Sequence, residues 1–341
     1  MIPNRKIEAL HHPVKSWPYS KGLHALGDGC YAYLQPNGSW GYSNAGLVAD
    51  GGECLLVDTL FDLALTGEML ATMRQAVPEA RNIGTLVNTH SNGDHTFGNQ
   101  LVEGAQIVSS SACAREMREQ GEPLAPGSIR REWARMGIAG AFFQEVMGSV
   151  FSADGIVLAL PTRTFDDRLS LRVGSKEVQL IEVGPAHTDG DVIAYVPADR
   201  TVFTGDIVFV EGHPIVWAGP VSNWIRACDL MLGLDIETVV PGHGPITDKS
   251  GIARLKHYFE YVFEESRKRH AMGMGYEEAA SELSLDAFKG WVDPERIVVN
   301  VFACYRELDR DTRPVSIMEM RAAMARLYYG RHGHAPAAAN P

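Results

Sequence analysis

The residues Asn88-Thr89-His90-Ser91-Asn92-Gly93-Asp94-His95 set two imidazoles, a carboxylate and a carboxamide within six positions, directly after a short apolar run over 85–87. Stability alone does not ask for this density; a loop built this way either binds a metal or wastes backbone freedom. Three further singletons, His187, Asp206 and His243, each stand just past the end of another strand-like run. A sheet fixes where its loops begin, so residues at the ends of adjacent strands can meet without relaxing away. A divalent transition metal asks for such neutral imidazoles and carboxylates. The chain therefore predicts strands whose loop ends converge on a metal, with Gly93 expected to free the backbone for a tight turn.

The 341 residues allow one large domain or two ordinary ones. Apolar residues at 45% and charged residues at 21% place the chain among folded globular proteins. A net charge of -11 argues against a phosphate-backbone partner, because nucleic-acid binders gather Lys and Arg on one face. No apolar stretch approaches the ~20 residues of a membrane-spanning helix, so no membrane partner is expected. The polar stretch from Met1 to Tyr19 has no apolar core suited to a secretory signal. The cysteines at 30, 54, 113, 228 and 304 are odd in number, widely spaced and flanked mostly by apolar residues, as expected of reduced, buried thiols in a cytoplasmic protein.

Strands are expected over 31–34, 45–48, 54–57, 85–87, 106–108, 169–171, 178–183, 192–196, 201–203 and 238–240, separated by Gly and Asn/Asp turns. Leu65, Met69, Leu70, Met73 and Val77 have helical spacing, stopped by Pro78. Residues 112–160 break the rhythm. Ile129, Trp133, Met136, Phe142, Phe143, Val146, Met147 and Val150 recur at helical intervals around Gly137 and Gly140. That segment reads as a helical insertion, either packing on the core or walling the metal pocket. Residues 251–330 read as a helical C-terminal extension, with a capping box at Ser316 and Glu319. The tail over 331–341, with incidental His332 and His334, is expected to be disordered.

These residues, taken in order, resemble the metallo-β-lactamase superfamily of metallo-hydrolases, which includes glyoxalase II-type thioesterases, lactonases and alkylsulfatases. The family's H-x-H-x-D-H signature, lone histidine, bridging aspartate and final histidine fall on His90, Asn92, Asp94, His95, His187, Asp206 and His243. Val57-Asp58-Thr59, Ala186-His187-Thr188-Asp189-Gly190-Asp191, Phe203-Thr204-Gly205-Asp206 and Pro241-Gly242-His243-Gly244 match as well, over roughly residues 25–250. The resemblance implies an α/β (α+β) fold, a four-layered αβ/βα sandwich over residues 1–250 with metals at one edge of its two sheets. It also implies one metal position held by His90, His187 and the residue at 92, a second held by Asp94, His95 and His243, and Asp206 between them. Asp58 and Asp191 read as acceptors for ligand N–H groups or as turn formers.

Asn92 departs from that pattern, standing where the family has its second histidine. A carboxamide oxygen is a weaker, harder ligand than an imidazole, so the first position should lose affinity. One tightly held Zn2+ with Asp94, His95 and His243 is expected, plus a second weak or partial ion; Mn2+ or Fe2+ would tolerate the amide oxygen better. The implied chemistry is hydrolysis, with metal-bound hydroxide attacking a small ester, thioester, lactone or amide, and Asp94 or His90 handling the proton. An iron-containing redox or oxygen-handling protein on the same fold is the alternative.

The acidic balance disfavours a nuclease, and aspartate at 206 disfavours a true β-lactamase, in which cysteine is common there. Trp133, Phe142, Phe143, the segment 213–220 and Trp224 either line a pocket for a small molecule with an apolar or aromatic body or belong to the core. Ser43 and Asn44 are placed to offer hydrogen bonds to a substrate. The C-terminal helices are expected either to make a homodimer or to close the pocket.

Overall fold

The computed structural model describes residues 17–119, 128–148, 150–313 and 316–333, the side chains of 128–131 excepted. A first sheet takes seven strands in chain order: β1 (Gly22–Gly27), β2 (Cys30–Leu34), β3 (Ala45–Asp50), β4 (Glu53–Val57), β5 (Thr85–Val87), β6 (Gln106–Ser110) and β7 (Arg163–Phe165). Strands β1 to β4 form an antiparallel meander and β4 to β7 pair in parallel. The second sheet contains β8 (Arg168–Val173), β9 (Lys176–Glu182), β10 (Val192–Val196), β11 (Thr201–Phe203) and β12 (Thr238–Val240), with order β12-β11-β10-β9-β8. Only β11 and β12 run parallel there, which sets their C-terminal ends side by side.

Side chains alternate across a strand, and inner strands such as β3, β4, β6, β10 and β11 are buried on both faces, while the edge strand β8 leaves one face exposed. In β4, Leu55 and Val57 belong to the core between the sheets, while Cys54 and Leu56 belong to the outer core with helix α1 (Leu63–Ala76), through Met69, Leu70 and Met73. In β10, Val192, Ala194 and Val196 point between the sheets, whereas Ile193 and Tyr195 join the core on the other side. The result is helix, sheet, sheet, helix. The sheets touch closely: a Cβ at Gly46 would stand 2.3 Å from the Phe203 ring.

The remaining helices are α2 (Gly93–Thr96), α3 (Ser111–Glu119), α4 (Ser128–Arg135), α5 (Ile138–Val146), α6 (Val221–Gly233), α7 (Lys249–Ala271), α8 (Tyr276–Glu282), α9 (Ile297–Asp309) and α10 (Ile317–His332). Helices α6 and α7 cover the second sheet with Trp224, Cys228, Met231, Leu255 and Phe259. On α5, Phe142 and Phe143 are buried, as is Met147 at its C-cap. The Trp40 ring meets Phe142 at 6.0 Å and Phe143 at 5.5 Å, and Tyr328 of α10 meets Phe142 at 5.1 Å. Hydroxyls of Tyr328 and Tyr329 donate to Glu145, so the insertion and the C-terminal helix brace each other. The aromatic face of α5 is core.

Strand and helix positions agree with the sequence pattern to within a few residues, but β1, β7, α2 and α6 lack a counterpart in it. β1 is bracketed by glycines and mostly half-exposed, so it carries no clean alternation. Ser316 caps α10 by accepting from the Glu319 amide at 3.2 Å. Arg331 and His332 complete that helix and Gly333 ends it in a left-handed conformation, so the tail begins later than expected. Expectations for residues 1–16 and for 334–341, including His334, and for the side chain of Ile129 lie outside the described residues. All five cysteines are free and buried. Among the described residues no helix is long and apolar enough to cross a membrane.

Candidate metal centre

His90 follows β5, Asp94 and His95 ride on α2, His187 follows β9, Asp206 follows β11 and His243 follows β12. The loop after β5 is tied to the second sheet by the Val192 amide, which donates to Thr89 O at 2.8 Å. Two glycines let the loops close. A Cβ at Gly242 would lie 2.0 Å from Asp206 Oδ1, and one at Gly205, whose φ is +49°, would lie 2.3 Å from Thr89 Oγ1. Gly93 is different from its expected role: it starts α2 with no positive φ, and the Phe97 ring packs where its Cβ would be.

Asp206 is the hub. Its Oδ1 lies 3.1 Å from His95 Nε2, and its Oδ2 lies 3.3 Å from His187 Nε2, 3.4 Å from His243 Nε2 and 3.8 Å from His90 Nε2. Asp94 Oδ2 is 3.3 Å from His243 Nε2. Two triplets keep their ligand atoms within 4.8 Å of one another: His90, His95 and Asp206, and Asp94, His95 and His243. The second is the set expected for the tight ion. The first differs from expectation in drawing on His95 rather than His187.

The imidazoles are oriented from behind. Thr89 Oγ1 donates its one proton to Asp58 Oδ2 at 2.7 Å, so it can only accept from His90 Nδ1 at 3.0 Å. Asp58 Oδ2 also accepts from His95 Nδ1 at 2.9 Å, and the Ile215 carbonyl accepts from His187 Nδ1 at 2.7 Å. Three rings therefore carry hydrogen on Nδ1 and turn Nε2 inward. His243 is held by stacking on Phe209, with centroids 5.1 Å apart and planes 1° apart. Buried His90 Nε2 has no hydrogen-bond partner, and His95 Nε2 and Asp206 Oδ1 have none besides each other. Buried polar atoms left this way are costly, and a cation would satisfy all three.

Burial pushes His90 well below the ordinary histidine pKa and also lowers His187, so both are neutral. Burial opposes charge on His95 and His243 too, but Asp206 and Asp94 outweigh it, raising His95 well above its ordinary value and His243 to about 9. Despite burial, the surrounding imidazoles hold Asp206 well below the carboxylate range and Asp94 at about 2. Without an ion, protons on His95 and His243 thus balance the two carboxylates. One divalent cation carries the same charge.

Asn92 occupies the N-cap of α2 but makes no side-chain cap hydrogen bond. Its amide turns into the cluster and donates to His187 Nε2 at 2.9 Å. The residue lies within the cluster, and in this arrangement its NH2 group covers the Nε2 lone pair of His187.

Asp58 accepts from His95 and from Thr89, as an acceptor for ligand N–H groups should. Asp191 accepts from the Ala186 amide and from Thr188, shaping the turn that carries His187. Ser43 and Asn44 serve the loops instead of a substrate. Ser43 Oγ donates to Asp94 O, and the Asn44 amide donates to Pro241 O at 3.0 Å and Gly244 O at 2.9 Å, tethering the His243 loop. Trp224 is buried behind His187 with its indole donating to Ile207 O, so it lines no opening. The Thr89 relay and the Ile215 carbonyl carried no sequence signal, because neither side chain type nor spacing marks a backbone acceptor.

A family model of the metallo-beta-lactamase superfamily matches residues 38–243. Among curated relatives, the 2,4-dinitroanisole O-demethylase subunit alpha of Nocardioides sp. (strain JS1661) is 36% identical over 94 residues, 27% of this chain and 28% of that protein. Hydroxyacylglutathione hydrolase of Methylococcus capsulatus is 25% identical over 181 residues, 52% of this chain and 54% of that protein. The matches thus span at most 54% of these relatives' own lengths. Among solved structures, a metallo-beta-lactamase from Pontibacter korlensis aligns with TM-score 0.54 and 18% identity over 71% of this chain and 99% of its own. A stereoselective inverting sec-alkylsulfatase from Pseudomonas sp. aligns with TM-score 0.63 and 14% identity over 87% of this chain and 52% of its own. At such identities the structural likeness speaks for the fold alone. The family model, however, covers more than half of the chain, including every residue of the His/Asp cluster. The chain belongs to the metallo-beta-lactamase superfamily, whose members bind divalent metals, typically zinc.

Proposed function

We propose that this protein is a metal-dependent hydrolase of small esters, thioesters, lactones or amides. The observation that carries the reading is the inward convergence of Nε2 atoms on Asp206 and Asp94, with three of the four rings fixed through Nδ1. Asp94, His95 and His243 would hold the tighter ion, with Asp206 beside it. His90 and His187, with Asn92 in place of a histidine, would make a weaker second position. Zinc is the first choice. A divalent metal bound here supplies a Lewis acid and an activated water at neutral pH.

Asp94 is the carboxylate of the cluster that reaches solvent, with 14% of its side chain exposed, so with a metal bound it would be the group to orient a water there and accept its proton. His90 is neutral, with its Nε2 lone pair free, and serves as the base when the weaker position is vacant. Among the relatives, hydroxyacylglutathione hydrolase is named for a hydrolysis, which supports this class without choosing among its members. A substrate with an apolar or aromatic body is proposed.

The test is elemental analysis of protein purified without added metal, followed by a panel of activated esters, thioesters and lactones with and without chelator. Turnover that is lost on chelation, restored by zinc and absent in His243→Ala supports hydrolysis. Turnover indifferent to both overturns it, and bound iron with visible absorbance would favour the redox alternative.

A further inference from the structure

The helix that opens the insertion is fastened to the His187 loop. Ser110 Oγ, at the N-terminal edge of α3, donates to Gly190 O at 2.7 Å and accepts from the Cys113 amide at 3.0 Å. The contact is tight, since a Cβ at Gly190 would lie 2.2 Å from Cys113 N. One turn further along α3, half-buried Glu116 reaches two different loops. Its Oε2 accepts from Ser91 Oγ at 3.0 Å and its Oε1 accepts from the Asp189 amide at 3.1 Å. Ser91 sits between His90 and Asn92, and Asp189 lies two residues after His187. No other side-chain hydrogen bond among the described residues joins these two loops except the Asn92–His187 contact itself.

We propose that Glu116 is a positioning residue, a carboxylate clamp that sets the spacing between the loop of His90 and Asn92 and the loop of His187. This rests on the reading of the cluster as a metal centre. A histidine at 92 would be held in place by its own bond to a metal. The carboxamide at 92 offers a weaker bond, so the weaker metal position depends on a brace that does not include the ion. Asp94, His95 and His243 do not touch this clamp, being held by Ser43, Asp58 and Asn44.

Two variants test it: Glu116→Ala removes both bonds, and Glu116→Gln spans the same gap, its carbonyl accepting from Asp189 and its amide donating to Ser91. In metal-free protein, Glu116→Ala should speed amide hydrogen exchange over 89–92 and 186–191 by roughly five- to tenfold, the equivalent of one hydrogen bond lost from each loop. Exchange over 241–244 should stay as it was, and Glu116→Gln should exchange like the parent. In a cobalt(II) titration against a competing chelator, the weaker of two binding steps should loosen by about tenfold in Glu116→Ala, with the tighter step unmoved. Unchanged exchange, or an even rise across all the ligand loops, overturns the clamp. A parent protein that takes up no cobalt would instead sink the metal reading, and exchange alone would still judge Glu116.

Discussion

Asp58 sets the orientation of two rings at once, and replacing its charge tests the construction of the centre most directly. The carboxylate accepts from the Thr89 amide and the Thr89 hydroxyl, each at 2.7 Å, and from His95 Nδ1 at 2.9 Å. In Asp58→Asn one of these acceptors becomes an NH2 group. Whichever way the amide turns, a donor then faces a donor: the Thr89 amide in one rotamer, His95 Nδ1 in the other. The relief available to His95 is to move its proton to Nε2, which removes the lone pair a metal would use. The Thr89 hydroxyl, no longer drawn to a charge, is free to turn to His90 Nδ1 and invert that ring's tautomer as well.

The backbone is not the issue. Asp58 has φ +62°, a conformation asparagine also tolerates, so the effect isolates the hydrogen bonds. Loss of such an orienting partner weakens metal binding by about 10–100-fold, or about 1.4–2.7 kcal/mol. With two rings affected, the upper end is expected. Competition against a chromogenic chelator measures it, with circular dichroism confirming an intact fold. Metal affinity within about twofold of the parent would refute the claim that these tautomers are set from behind.

Four further outcomes are expected. Asn92→His should raise metal stoichiometry by adding an imidazole where the carboxamide now covers His187 Nε2; elemental analysis finding two ions per chain in both proteins would refute the role given to Asn92. Metal affinity should climb with pH, since binding one ion at neutral pH releases about two protons, those on His95 and His243, and the climb should become less steep as pH passes the His243 value of about 9. The same raised values stabilise the ion-free fold most below the unfolded histidine pKa, and that contribution is lost as pH rises through about 9; calorimetry across pH 6 to 10 would show either slope or its absence. Gly242→Ala should cost about 1–3 kcal/mol in thermal unfolding and most of the metal binding, because the new methyl meets Asp206 Oδ1 at 2.0 Å; an alanine variant that melts and binds like the parent would show the loop to be slack.

Much of the centre was legible along the chain because its ligands are chemically rare side chains placed just past apolar runs. His187, Asp206 and His243 each stand just past a short apolar run, and their order matches the family they resemble. The layered fold followed from the family resemblance those residues carry, and in the structure β4 and β10, buried on both faces, are covered on both. Aromatic residues were not legible. Phe142 and Trp224 read equally as core or pocket, because apolar side chains declare that they are buried and not against what.

What the sequence determined alone is the set of chemical groups at this centre and the order in which strands deliver them, Asn92 included. Tertiary structure decided which nitrogen each ring turns inward, through Thr89, Asp58 and a carbonyl at Ile215, and it decided that Asn92 meets His187 rather than capping α2. The reason is geometric. Ligand identity is carried by single residues, whereas ring orientation depends on acceptors from other loops, and such pairings exist only once the two sheets have packed.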